Sequence, residues 1–131
     1  MQRSGADSVA SSLLAKAESL GNVKVVAANV GEADLKQLQA LSDRVRDGLG
    51  TGVVILGGAH DGRASLMVTV SKDLSQRVDA NAVIRSVATI IDGKGGGRPE
   101  SANAGGKAPN RLPEAVAAAR SAVVERLNGG G

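Results

Sequence analysis

The residues of this chain best suited to chemistry lie between Gly93 and Arg111. Residues 93–106 read Gly-Lys-Gly-Gly-Gly-Arg-Pro-Glu-Ser-Ala-Asn-Ala-Gly-Gly, six glycines in fourteen positions. Such a density costs backbone entropy on folding, so it calls for a reason. A flexible linker is one reason. A structured backbone that a ligand approaches closely is another, and it also accounts for Arg98-Pro99 at the centre of the segment. On the second reading Lys94 and Arg98 donate to an anion, Gly95, Gly96 and Gly97 bring bare peptide N–H groups close to it, and Lys107 and Arg111 add flanking phosphate contacts. Arg63 and Lys72, at opposite ends of one predicted strand, are weaker candidates for the same role.

Two familiar phosphate loops are excluded. The G-x-G-x-x-G pattern started at Gly93 needs glycine where Arg98 stands, and started at Gly95 it needs glycine where Glu100 stands. A Walker A loop fails because Gly106-Lys107 runs into Ala108, with Ser101 at the upstream glycine position. No catalytic constellation is visible either. His60 is the single histidine and reads, with Asp61, as a surface turn. Glu32, Asp34, Asp79 and Glu114 read as acidic residues at helix starts, and Asp92 as a helix-end residue. The expectation is a chain that binds and does not catalyse, with no metal or cofactor of its own.

Composition narrows the binding modes. The 131 residues contain no Phe, Tyr or Trp, which removes every mode that stacks a base or sugar on an aromatic ring. The absence of cysteine removes disulfides, thiolate metal sites and a thiol nucleophile. The longest apolar runs, Val53 to Leu56 and Ala115 to Ala119, fall far short of the roughly 20 residues of a membrane helix. With Arg3 and then Asp7 the start lacks a signal-peptide pattern, so a cytoplasmic setting is expected. Net charge is +3, of which +1 falls in residues 1–91 and +2 in residues 92–131. That balance favours an anionic partner mildly.

The elements that must position these residues follow from periodicity. Val9, Leu13, Ala17 and Leu20 make a helical stripe over Asp7 to Leu20, stopped by Gly21-Asn22. It fits packing on the domain and pairing with a second chain equally well. Asn22 to Val30 reads as a strand. Leu35, Leu38, Leu41, Val45 and Leu49 define a helix, and Val53 to Leu56 a strand buried on both faces. Gly57 to Gly62 reads as a turn before an alternating strand from Arg63 to Ser71, making an antiparallel hairpin. A helix starts at Asp79 and carries Val83, Ile84, Val87, Ile90 and Ile91; a last one starts at Asn110 to Pro113 and carries Leu112, Val116, Ala119, Val123 and Leu127. Between them, Gly93 to Arg111 carries no regular pattern. The order predicts an α+β fold, a small mixed sheet packed with helices, divided into residues 1–21, a helical linker or dimerisation segment, and residues 22–131, a globular domain.

Read as a unit, Gly93-Lys94-Gly95-Gly96-Gly97-Arg98-Pro99 followed by Ala102-Asn103-Ala104-Gly105-Gly106 resembles the signature near the C-terminus of bacterial alanyl-tRNA synthetases. The approach, Val70-Ser71-Lys72-Asp73-Leu74 and then an acid-capped helix ending at Gly93, is similar too, and the resemblance runs from about Val23 to Leu127. The DHH-associated domain of DHH phosphoesterases shares a looser form, usually with His where Arg98 stands. The resemblance implies a C-terminal module that grips the elbow of tRNA, tRNA-Ala in that family, and helps couple aminoacylation with editing. It further implies that ATP, Mg and Zn belong to domains this chain does not contain, and that a homodimer could form through the N-terminal helical segment. The alternatives are the substrate-binding half of a DHH-type phosphoesterase, whose metal-binding Asp-His-His segment has no counterpart here, and a chiefly oligomerising module.

Overall fold

The computed structural model describes residues 5–129, with side chains from Ala10 to Asn128. Val9 of the predicted first stripe and the terminal Gly130 and Gly131 therefore lie outside the described side chains. Four helices, α1 (Gly5–Ala15), α2 (Leu35–Leu49), α3 (Ala80–Val87) and α4 (Leu112–Gly129), accompany six strands: β1 (Glu18–Leu20), β2 (Val23–Glu32), β3 (Gly52–His60), β4 (Arg63–Val70), β5 (Gly93–Arg98) and β6 (Ser101–Gly106). The strands form one sheet in the order β1-β2-β3-β4-β6-β5. Only β2 and β3 run parallel, because α2 carries the chain back across the sheet between them; the other pairs are antiparallel. The mixed α+β architecture is the one the sequence predicts.

Alternation along the central strands divides the core in two. Val53, Ile55, Ala64, Leu66, Val68 and Val70 face α3 and α4, while Val54, Leu56 and Met67 face α1 and α2. Asp34 caps α2 reciprocally: its carboxylate accepts from Gln37 N at 2.8 Å and the Gln37 side chain accepts from Asp34 N at 2.9 Å. Asp79 caps α3 by accepting from Asn81 N and Ala82 N. Glu32, read from sequence as part of the α2 start, is instead the last residue of β2.

The first predicted helix is shorter than its stripe. It ends at Ala15, and Glu18 to Leu20 pair with Val23 to Val25 as an edge strand. Gly21, at φ +67°, and Asn22 form a two-residue hairpin turn, so the pair that looked like a helix stop reverses a strand instead. Ala10 and Leu13 are buried against α2 of the same chain. Arg120 of α4 donates two hydrogen bonds, of 2.6 and 2.5 Å, to the Glu18 carboxylate and ties β1 to the far helix. The predicted turn at Gly57 to Gly62 is likewise shorter: β3 runs on to His60, and Asp61-Gly62 alone make the reversal.

The largest departure is at Gly93 to Arg111, which sequence patterning left without regular structure. It is a β-hairpin, β5 and β6, turning at Pro99-Glu100. Val70 N donates to Glu100 O at 2.8 Å and Ala80 N to Pro99 O at 2.9 Å, anchoring the turn to β4 and α3. Glycine carries no strand signal, since strand propensity reports side-chain packing that glycine lacks. Here the missing side chains are the point. A Cβ on Gly95 would lie 2.4 Å from Asn103 O, one on Gly97 2.6 Å from Ser101 O, and one on Gly106 2.1 Å from Ile91 O. Gly105 is different: the nearest atom to its Cβ position is Ala64 O at 3.9 Å.

Gly106→Ala is therefore expected to destabilise the fold by about 2–3 kcal/mol or more in urea titration, by forcing backbone against backbone. Gly105→Ala should stay within about 0.5 kcal/mol of the parent. The Arg120 bond holds the Glu18 carboxyl below its ordinary range. A depressed carboxylate contributes stability above its unfolded value and loses it as pH falls through the folded one. The difference in urea midpoint between the parent and Arg120→Ala should accordingly shrink from pH 7 to pH 3, and a difference independent of pH would contradict the role given to this pair.

Candidate nucleic-acid interface

The positions along β5 are of two kinds. Gly93, Gly95 and Gly97 direct their absent side chains at the β6 backbone, and their bareness is spent inside the fold. The alternate residues of β5, Lys94, Gly96 and Arg98, lie on the other side of the strand by the two-residue period. Lys94 and Arg98 are exposed, about 13 Å apart along the strand at roughly 3.3 Å per residue. Between them, a Cβ on Gly96 would meet only Asn81 Oδ1, at 3.1 Å. That same oxygen accepts a 3.0 Å hydrogen bond from Gly97 N and fixes the strand to the start of α3. All three glycines singled out from sequence have chain atoms close to their Cβ positions, the β6 backbone at Gly95 and Gly97 and Asn81 Oδ1 at Gly96. Asn81, which sequence reasoning missed, has no motif that would have flagged it.

At the Lys94 end the strand opens into a cavity of about 380 Å³ lined by Arg63, Asp92, Gly93, Lys94, Gly105, Gly106 and Lys107. Four elements converge to make it. The start of β4 brings Arg63, and the pairing of Ala64 with Gly106 and of Gly93 with Gly106 sets β4, β6 and β5 side by side. The 3-10 turn Ala88–Ile91 ends at Asp92, whose φ of +55° sends the chain into β5. After β6, Lys107 N donates to Asp92 O and Ala108 N to Ile91 O at 3.0 Å, which locks the far wall. Among the described residues Arg63, Lys94 and Lys107 form no ion pair. Arg46, Arg111 and Arg120, by contrast, each hold a carboxylate. Three unneutralised cations around a wall with little side-chain bulk make an anion-receptive concavity.

The sequence candidates are thus split between two places. Arg63, Lys94 and Lys107 meet at the cavity, with Gly105 and Gly106 as its wall. Arg98 stands at the opposite end of β5, opposite Ser101 and in the row of Thr69. Lys72 follows β4 at that same end, in the 3-10 turn Lys72–Leu74. That turn is fixed by a 2.8 Å bond from the Thr51 hydroxyl to Asp73, which lowers the Asp73 pKa. Arg111 lies one turn beyond the cavity, paired with Glu114 at 2.8 Å. His60 sits at the tip of the β3–β4 hairpin in a separate cavity with Glu32 and Asp61, each carboxylate 3.5 Å from one ring nitrogen. Among the described residues no group of three His, Cys, Asp or Glu is placed to hold a metal ion, and no helix is long and apolar enough to cross a membrane.

A glycine-rich hairpin closing a mixed sheet, with helices on both faces, defines a class. Residues 22–125 match the profile of the DHHA1 domain, and the chain belongs to that family. Within it the chain is similar to the C-terminal region of alanyl-tRNA synthetases. The alanine–tRNA ligase of Desulfosudis oleivorans is 47% identical over 100 residues, 76% of this chain and 11% of that protein. The enzyme of Idiomarina loihiensis is 36% identical over 127 residues, 97% of this chain and 15% of that protein. This chain therefore spans only a small part of the length of these relatives. The C-Ala domain of Aquifex aeolicus alanyl-tRNA synthetase superposes with a TM-score of 0.73 at 32% identity, covering 82% of this chain and 96% of that domain. RecJ of Thermus thermophilus shares the fold, with a TM-score of 0.64 at 16% identity over 92% of this chain and 17% of its own.

Proposed function

We propose that this chain is the tRNA-binding C-terminal module of an alanyl-tRNA synthetase, that it performs no chemistry itself, and that it holds the elbow of tRNA-Ala so that aminoacylation and editing are coupled in the whole enzyme. The observation that carries the reading is the set of three unpaired cations, Arg63, Lys94 and Lys107, around the glycine-walled cavity of a domain whose family likeness is to C-Ala. A chain without aromatic side chains must hold RNA through phosphates, 2′-hydroxyls and overall shape. A folded tRNA corner offers all three. Lys94 and Arg98, about 13 Å apart on one exposed strand, would reach separate phosphates of the RNA backbone. Lys72 lies near the Arg98 end and Arg111 near the other, its charge shared with Glu114. ATP, Mg and Zn would serve other domains of that enzyme, in a cytoplasmic setting.

Electrostatic contacts to phosphate carry a salt signature. Lys94→Ala and Lys107→Ala should each weaken tRNA binding about tenfold and flatten the log–log salt dependence by about 0.7–0.9 unit. Arg111→Ala should change both less, since Glu114 already neutralises it. Arg98→Ala should weaken binding comparably to Lys94→Ala; unchanged affinity would remove Arg98 from the interface. Nuclease footprinting of tRNA-Ala with the chain should protect the elbow, and protection confined to the acceptor stem would overturn the elbow assignment.

A further inference from the structure

The cationic cavity contains one group its charge does not account for. Asp92 lines it together with Arg63, Lys94 and Lys107. A carboxylate beside a bound phosphate repels it, and more strongly at a protein surface than in bulk water. Asp92 gives no structural return for that cost. It follows a helical segment at its C-terminal end, where the helix dipole disfavours negative charge. Its φ of +55° suits glycine or asparagine at least as well. Among the described residues its carboxylate pairs with none of the neighbouring cations and accepts no hydrogen bond. The backbone that carries it is held from both sides, by Asp92 N donating to Thr89 O at 3.0 Å and by Lys107 N donating to Asp92 O at 3.3 Å.

An exposed carboxylate on a fixed backbone, set among cations suited to phosphate, can accept a hydrogen bond from a donor on the ligand. The sugar-phosphate backbone of RNA has one, the ribose 2′-hydroxyl; DNA has none. We infer that the cavity is a ribonucleotide subsite, in which Arg63, Lys94 and Lys107 hold a phosphate while the Asp92 carboxylate accepts the 2′-hydroxyl of the adjoining ribose. Gly105, with no neighbour closer than 3.9 Å to its Cβ position, leaves the wall against which the sugar ring lies. The subsite rests on the RNA-binding reading above and adds to it a selection of RNA over DNA by one residue.

The test is a cycle between residue 92 and single 2′-deoxy substitutions in tRNA-Ala transcripts, scanned through the elbow nucleotides and read as dissociation constants. Asp92→Gly removes the carboxylate and Asp92→Asn its charge, and both accept a positive φ. In the parent, one deoxy position should weaken binding about tenfold. With Asp92→Gly the same position should cost less than twofold, and Asp92→Asn should fall between. A deoxy penalty equal in parent and Asp92→Gly overturns the subsite, as does tightening of normal and deoxy transcripts alike, which would make Asp92 simply repulsive. A parent chain with no affinity for tRNA overturns the RNA-binding reading itself, a result the cycle keeps separate.

Discussion

The close packing of the β5–β6 hairpin, strand on strand and β6 on the 3-10 turn behind it, is the constraint on which this structure depends. Where a Cβ would lie 2.1 Å from the Ile91 carbonyl, or 2.4 Å from that of Asn103, only glycine fits. The hairpin can then close the sheet beyond β4 without a side chain separating it from the 3-10 turn behind. This closure puts Lys94, Lys107 and Arg63, distant in sequence, at one cavity mouth. Any larger residue at these positions would push β5 outward and separate the cations.

Glycine thus serves two purposes along one short segment. At 93, 95, 97 and 106 it allows strand and turn to approach each other. At 96 a Cβ would press on Asn81 Oδ1 at 3.1 Å, and at 105 it would meet nothing closer than 3.9 Å. On the proposed reading, contacts with RNA come from the long cations beside Gly105, because no aromatic ring, thiol or histidine pair is available. Its modest +3 charge is consistent with contacts made at a few fixed positions, not through a broad electrostatic field.

Much of the architecture was legible from residue types. The Leu38, Leu41, Val45 stripe, the doubly buried Val53 to Leu56 run and the Asp79 cap are strong local signals that tertiary packing reinforces. What could not be read depends on partners remote in sequence. Glu18 to Leu20 continue a helical stripe until β2 pairs with them and Arg120, about a hundred residues on, grips Glu18. The β5–β6 hairpin has almost no side-chain pattern, because its register is set by turn anchoring at Val70 and Ala80. Of the site, the cations were found by type and the motif resemblance located the segment. The division of Lys94 from Arg98, and the place of Asp92 among the cations, required the register of the strands.

On the proposed reading, nucleic acid docks at the cavity end of the glycine hairpin. Backbone amide chemical shifts followed through a tRNA titration test it most directly, because glycine amides report contacts that side-chain substitution cannot. The largest changes are expected at Lys94, Gly96, Gly105 and Lys107, with Leu38 to Leu49 of α2 unmoved. Changes centred on α1 and α2, or on the His60 hairpin tip, with the glycine hairpin silent, would contradict it.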